Sequence, residues 1–149
     1  MRLVISVIHQ KGGVGKTTLS VSLAGELAKR GFETLLVDAD PTESAQAWAK
    51  AGKLDFNVVG YPVLPGQTQA WAESISKLES QVFIIDCGPN DYSLAAACAL
   101  TDVALLPCGA SGLPRWHDAR IAPDRSGART AQRAAERACG ADPCRRPDH

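Results

Sequence analysis

A chain of 149 residues suits one compact domain and is too short for two domains of ordinary size. Hydrophobic residues make up 45% and charged residues 21%, which is typical of a globular protein and excludes a disordered or collagen-like chain. Sixteen basic residues balance sixteen acidic ones, so the net charge indicates no nucleic-acid partner, and no apolar run approaches the ~18 residues of a membrane span.

Apolar runs of strand length alternate with helical patterns along residues 1–113. The predicted elements in chain order are a strand over Leu3–Ile8, a helix over Lys16–Arg30, a strand over Thr34–Val37, a helix over Ser44–Lys50, a strand over Phe56–Val59, a helix over Gln67–Ser80, a strand over Val82–Ile85, a helix over Asp91–Leu100 and a further buried strand over Val103–Leu106. Strands that are apolar throughout and separated by helices indicate an α/β fold, with a mostly parallel sheet covered by helices on both faces.

Polar segments follow three of these strands, namely Gln10–Thr18, Asp38–Pro41 and Asp86–Pro89. Sheets of this class bind ligands beyond the carboxyl ends of their strands. We therefore expect the three segments to form one site.

The most specific motif runs from Lys11 to Thr18 and has the sequence KGGVGKTT. Its glycines let backbone amides approach phosphate closely, and the N-terminus of the following helix adds the positive end of a dipole. Lys16 supplies a charge for the β- and γ-phosphates, and the Thr17 hydroxyl is a ligand for Mg²⁺. A plain glycine turn before a helix is the alternative. The usual phosphate loop has Gly at position 10, where this chain has Gln10, and Lys11 marks a variant loop.

The segment from Lys11 to Thr18 resembles the deviant Walker A box of the ParA/MinD family of ATPases. Val37–Thr42 resembles the family's D-x-D-P-Q segment except at its last residue, and Ile84–Pro89 resembles its Walker B strand and second switch. Ser44–Lys50 and Ala104–Leu113 are similar to small plasmid-type partition proteins of the family. The resemblance implies a P-loop NTPase fold over residues 1–113, incomplete at its C-terminal end.

The resemblance also implies that ATP and Mg²⁺ are the cofactors, and it gives each motif residue a role. The phosphates would be held by the loop residues Gly12, Gly13, Val14, Gly15, Lys16, Thr17 and Thr18. Lys11 would reach across a nucleotide-bound homodimer to the partner's phosphates, and Asp40 would orient the attacking water. The catalytic residues would therefore be Lys11, Lys16 and Asp40. The metal would be held by Thr17, Asp38 and Asp86, with the two aspartates acting through water.

Simpler interpretations of several residues stay open. Asp38 and Asp40 are also ordinary strand-end and turn residues, and Asp86 could be a solvated strand terminus. Trp48 and Trp71 are expected to pack within the protein rather than to stack on bases.

The cysteines and the start of the chain favour a reducing compartment. Three of the five cysteines, Cys87, Cys98 and Cys108, lie in apolar surroundings, and Cys87 is expected to be a small buried filler. Cys139 and Cys144 match no zinc-binding spacing. The first strand is too short for a signal-peptide core, so we predict a cytoplasmic protein with no membrane partner. His9 is expected to face its own loop.

Residues 114–149 form a tail of different composition, with eight Arg, no Lys and five acidic residues, whereas residues 1–113 carry a net charge of −3. Such an Arg-, Ala- and Pro-rich stretch is typical of a GC-rich gene translated out of frame, and we expect a frameshifted or truncated end. The alternative is a basic helix, with Arg129, Arg133 and Arg137 in one stripe facing DNA phosphates.

Three hypotheses for function remain. The first is a ParA-type ATPase that dimerises with ATP and acts in plasmid or chromosome partitioning, with a ParB-like adaptor, non-specific DNA as a further partner and association with the nucleoid. The second is an accessory or metal-cluster-carrying ATPase of the same superfamily. The third is a truncated remnant that does not function, or that only binds nucleotide.

Overall fold

The computed structural model describes residues 2–52 and 54–107, so the predictions for the tail lie outside the described residues. The elements are β1 (Leu3–Val7), α1 (Lys16–Lys29), β2 (Thr34–Asp38), α2 (Ser44–Ala51), β3 (Asn57–Gly60), α3 (Thr68–Ser76), β4 (Val82–Asp86), α4 (Asp91–Cys98) and β5 (Val103–Leu105). The nine predicted elements are therefore confirmed in type and order. Among the described helices, none has the length and apolar character needed to cross a membrane.

The five strands form one sheet in the order β3-β2-β4-β1-β5, and every pairing is parallel. The chain steps in one direction from β1 through β2 to β3, and then returns across the sheet through β4 to β5. Because parallel crossovers are right-handed, this reversal places α1 and α2 on one face and α3 and α4 on the other. The predicted parallel sheet with helices on both faces is confirmed.

Successive side chains of each strand point to opposite faces of the sheet, so the apolar core has two layers, one on each face. One layer packs strand residues such as Val37, Phe83 and Ile85 against α3 and α4, through Trp71 and Ala96. The opposite layer joins strand residues to α1 and α2, and its fully buried members include Val7, Ala24, Leu36, Ala45 and Ile84. The central strands are covered on both sides, which explains why most of their positions are apolar, and their polar residues Ser6, Thr34, Asp38 and Asp86 are buried as well.

Two residues at the sheet periphery differ from the predictions. Val103 is 42% exposed, because β5 pairs only with β1 among the described strands, so the predicted burial of this strand is wrong at that position. Trp48 is 49% exposed on α2, so the prediction that it packs internally is wrong. Trp71 is 4% exposed, and its indole N–H donates to the Tyr61 carbonyl at 2.6 Å, which confirms its packing role.

Helix α3 ends at Ser76, four residues before the predicted end at Ser80. The last turn tightens, because the N–H of Lys77 donates to the Ser74 carbonyl and the chain does not return to α-helical bonding. The Arg2 guanidinium donates to the carbonyls of Ser76 at 2.9 Å and Ile75 at 3.2 Å. A side chain from the start of the chain therefore satisfies the free Ser76 carbonyl and adds a second donor to the Ile75 carbonyl, which also accepts from the Leu78 N–H.

Candidate nucleotide-binding site

The loop between β1 and α1 forms an open cradle of backbone amides. Gly13 and Gly15 have φ of 73° and 88°, a left-handed conformation that glycine adopts without strain. Gly15 is the N-cap of α1 and offers no side-chain cap to the helix, so the first-turn N–H groups face outward. A Cβ atom built on Gly12, Gly13 or Gly15 meets no atom within 4 Å. The space beside these amides is open, and the helix dipole favours an anion there.

The two lysines of the loop have different environments. Lys16 is 7% exposed, and its ammonium group donates to the Lys11 carbonyl at 3.2 Å. Lys11 is exposed, and its backbone N–H donates to Nδ1 of His9 at 2.9 Å. Burial lowers the pKa of His9, with help from the charges of Lys16 and Lys11, so the neutral ring that accepts this bond is favoured. The prediction that His9 faces its own loop is confirmed.

Asp86 ends β4 as a fully buried carboxylate with one oxygen left unpaired. The Ser20 hydroxyl donates to Oδ1 at 3.0 Å, whereas Oδ2 has no hydrogen-bond partner among the described residues. Burial raises the pKa of Asp86 to about 6, and the negative charge of Asp38 adds to this rise. The rise is opposed by the hydroxyls of Thr17 and Ser20 and by the positive charge of Lys16. The interpretation as a solvated strand terminus is wrong, because Asp86 has no exposed surface.

Asp38 occupies the matching position at the end of β2, in register with Asp86 of the neighbouring strand. Its two oxygens accept from the backbone N–H groups of Asp40 at 3.2 Å and Gln46 at 3.0 Å. Gln46 lies in the first turn of α2, so Asp38 fixes the loop that joins its strand to that helix. Burial raises the pKa of Asp38, and the backbone donors oppose that rise. Asp38 therefore stabilises the loop after β2 directly, whether or not it also binds a hydrated metal.

Asp40 lies in the turn after β2 and approaches the segment after β4. Its Oδ1 accepts from the Thr42 N–H at 2.9 Å, as expected of a turn residue. A Cβ atom built on Gly88 would lie 3.4 Å from the Asp40 carboxyl carbon, so the two loops touch at this point. The three predicted segments are brought to one edge of the sheet.

Three contributors to this site are missing from the sequence predictions. Ser20 holds Asp86 from inside α1, Asn90 caps α4 by accepting from the Ser93 N–H at 2.8 Å, and the Gln10 amide donates to Asp91 at 2.9 Å. The capping of Asn90 has a sequence signal, because Asn favours N-cap positions. The other two contacts join residues far apart in the chain, and no local pattern indicates them.

Mg²⁺-ATP fits this arrangement. The amide cradle with Lys16 suits a triphosphate, and the unpaired oxygen of Asp86 next to the hydroxyl of Thr17 suits a hydrated cation. Mg²⁺ sites commonly use one or two carboxylates together with substrate phosphates, rather than a cage made by protein alone. Residues 2–52 and 54–107 contain no group of three or more His, Cys, Asp or Glu that could hold a metal.

A family model for an AAA domain (AAA_31) matches residues 2–97, which is more than half of the chain. The chain belongs to the ParA/MinD family of P-loop ATPases. This ParA/MinD-family chain is 36% identical over 107 residues to the maintenance of carboxysome distribution protein A of Gloeobacter kilaueensis, covering 70% of this chain and 48% of that protein. It is 30% identical over 105 residues to protein ParA of Rhizobium radiobacter, covering 70% and 47%.

The fold matches cobyrinic acid a,c-diamide synthase of Mycobacterium smegmatis, solved with a bound ATP analogue and magnesium. The TM-score is 0.65 at 22% identity, covering 78% of this chain and 64% of that one, so this likeness concerns the P-loop fold alone. The ParA/MinD-family chain spans about half the length of the curated relatives it matches.

Proposed function

We propose that this chain binds Mg²⁺-ATP, dimerises in the ATP-bound state, hydrolyses ATP slowly and acts in partitioning a cellular cargo. One juxtaposition carries the proposal: the uncapped N-terminus of α1 lies beside the unpaired oxygen of the buried Asp86. An anion cradle and a partnerless buried carboxylate next to one another call for a phosphate and a cation together.

Each residue of the site has a defined task in this proposal. When bound, Mg²⁺-ATP supplies the transferable phosphoryl group and the cation that neutralises its charge. Lys16 neutralises phosphate charge, Thr17 and Asp86 hold the hydrated metal, and Asp38 keeps the loop after β2 in place. Asp40 uses Oδ1 for the Thr42 N–H, which leaves Oδ2 to accept a hydrogen bond from the attacking water.

Lys11 accounts for the coupling between nucleotide and assembly. Its side chain is exposed and, among the described residues, its ammonium group has no hydrogen-bond or ion-pair partner. A lysine in this position of the family's loop implies contact with the phosphates of a second copy. Charge neutralisation across the interface makes the dimer depend on ATP, because only the ATP state provides the differential contact.

Family membership and the names of the relatives support the partners that we propose. The name of the carboxysome distribution protein supports an ATPase that positions a large body, and we propose a plasmid, a chromosome or a comparable body as the cargo of this chain. We propose a ParB-like adaptor that links the dimer to its cargo, and non-specific DNA as the surface over which the cargo moves. Both partners place the protein in the cytoplasm, at the nucleoid.

The first prediction concerns molecular mass in solution. We expect the full chain to be a monomer with Mg²⁺-ADP and to double its light-scattering mass with Mg²⁺-ATP. Lys16→Ala should abolish the doubling by preventing ATP binding, whereas Lys11→Ala should abolish it while retaining ATP binding. A mass that does not respond to nucleotide would contradict the proposed switch and favour a remnant that does not function.

A further inference from the structure

Gln10 connects the phosphate loop to the start of α4. Its side-chain amide Nε2 donates to Oδ1 of Asp91 at 2.9 Å, a contact between residues 81 positions apart. The usual phosphate loop has Gly at this position, so the side chain of Gln10 is an addition to the loop. The cradle itself makes no use of that side chain, since its amides come from the residues that follow.

The acceptor of this bond, Asp91, belongs to a helix that packs on the core. Asp91 is the first residue of α4, where a carboxylate interacts favourably with the helix dipole. The preceding Asn90 caps the same helix through the Ser93 N–H at 2.8 Å. Two inward-facing alanines, Ala96 and Ala97, pack α4 into the core. The backbone of Asp91 is therefore held on the body of the protein, and its exposed carboxylate reaches the exposed loop.

The backbone around Lys11 is restrained by three contacts. Asp91 holds the side chain of the preceding residue, Gln10, and His9 accepts from the N–H of Lys11 at 2.9 Å. Lys16 donates to the Lys11 carbonyl at 3.2 Å. The side chain of Lys11 is left exposed and makes no polar contact with the described residues. The restraints thus act on the direction in which Lys11 leaves the loop.

We propose that Gln10 and Asp91 are positioning residues for Lys11, and that their hydrogen bond orients Lys11 toward the nucleotide of a second copy. The inference rests on the proposed ATP-dependent dimer. Breaking the bond frees the start of the loop, so Lys11 samples more directions and loses more entropy when the dimer forms. Binding of ATP within one copy depends on Lys16 and the cradle, and it does not need this bond.

The test compares Gln10→Ala, Asp91→Ala and the double variant in the full chain. Two quantities are measured for each: the affinity for a fluorescent ATP analogue with Mg²⁺ at a protein concentration that keeps the chain monomeric, and the dimer dissociation constant with saturating Mg²⁺-ATP. We expect each single variant to weaken the dimer about fivefold, because Lys11 of both copies must then be ordered when the dimer forms, and to change nucleotide affinity less than twofold. The double variant should be no weaker than the singles, because both remove the same contact.

Two controls separate this effect from general damage. Asp91→Asn keeps an Oδ1 acceptor and a residue suited to a helix start, so it should dimerise like the unchanged protein. Gln69→Ala removes a similar exposed bond, from the Gln69 amide to Glu73 at 3.1 Å on α3, and should leave both quantities unchanged.

Each other outcome overturns the inference. If Gln10→Ala dimerises normally, or if the effects of the two single variants add, the pair does not act as a unit. If nucleotide affinity falls as much as dimerisation, Gln10 supports the cradle and not Lys11. If the unchanged chain fails to dimerise with ATP, the proposed function falls first, and the inference falls with it.

Discussion

Asp86 is a single residue whose ligand-free state is energetically unfavourable. Its carboxylate is fully buried, one oxygen lacks a partner, and burial raises its pKa to about 6 from an ordinary value of 3.8. Because the folded pKa lies above the unfolded pKa, the ionised group destabilises the fold at neutral pH. This penalty is fully present above about pH 6 and disappears as the pH falls toward 4. Such a cost is typical of a residue kept for a ligand.

The substitution Asp86→Asn should therefore stabilise the ligand-free protein at pH 7.5. A neutral amide of the same shape removes the buried charge, and the pKa shift from 3.8 to about 6 corresponds to about 3 kcal/mol. For a chain of this size that is a rise in Tm of roughly 6–12 °C. The difference from the unchanged protein should shrink as the pH is lowered from 7.5 to 5, because native Asp86 then takes up a proton. Differential scanning fluorimetry over this pH range measures both effects.

In the Asp86→Asn variant, Mg²⁺-ATP should raise the Tm no more than ATP without Mg²⁺ does, because the neutral amide cannot replace the carboxylate as a partner of the cation. Asp55→Asn is the matched control, because Asp55 is exposed at the opposite end of the sheet and should change neither the Tm nor its response to nucleotide. An Asp86→Asn protein with an unchanged or lower Tm at every pH would show that the buried charge carries no penalty.

At the scale of elements, the local sequence pattern predicts the central strands and the phosphate loop, because both depend on residues that are close together in the chain. The strands β1, β2 and β4 are mostly apolar, and the glycines before α1 mark the phosphate loop, so both are evident in the sequence. The end of α3 and the exposure of Trp48 depend on partners brought by the fold, and the sequence predicts neither. The same holds for the bond from Gln10 to Asp91, which links two distant loops.

Arg2 illustrates such a long-range partner and gives a prediction for α3. Its guanidinium lies 4.1 Å from the centroid of the Phe83 ring while it donates to the carbonyls at the helix end. Arg2→Ala should cost about 1 kcal/mol, since it removes an exposed cation–π contact and the helix cap together. We expect Tm to fall by roughly 2–4 °C in a thermal melt.

Arg2→Lys is the informative partner of this variant. Lysine keeps the positive charge but lacks the planar fork, so it should restore only part of the loss. The response to nucleotide should be unchanged in both variants, because Arg2 and α3's end lie at the edge of the sheet opposite the phosphate loop. Equal stability of the alanine and lysine variants would mean that charge plays no part.

At the scale of the whole molecule, the nucleotide site depends on the three central strands. β1 ends next to the phosphate loop, and its Val7 is in register with Asp86 of β4, which in turn is in register with Asp38 of β2. The connections that leave the neighbouring strands β1 and β4 run in opposite directions across the sheet, and both core layers cover the central strands. The groups that would hold phosphate and metal are therefore supported by the best-buried part of the fold.

This placement predicts that Mg²⁺-ATP stabilises the chain as a whole. A ligand at 100 times its Kd contributes about 2.7 kcal/mol to the free energy of unfolding, which corresponds to a Tm increase of roughly 5–10 °C here. Thermal melts with Mg²⁺-ATP, with ATP plus EDTA and with Mg²⁺-ADP measure the increase and its dependence on the metal. Lys16→Ala should show none of it, whereas Lys11→Ala should keep it at monomeric concentrations, because Lys11 serves the second copy. A broad transition that no nucleotide shifts would instead identify a chain that retains the motif without closing the pocket.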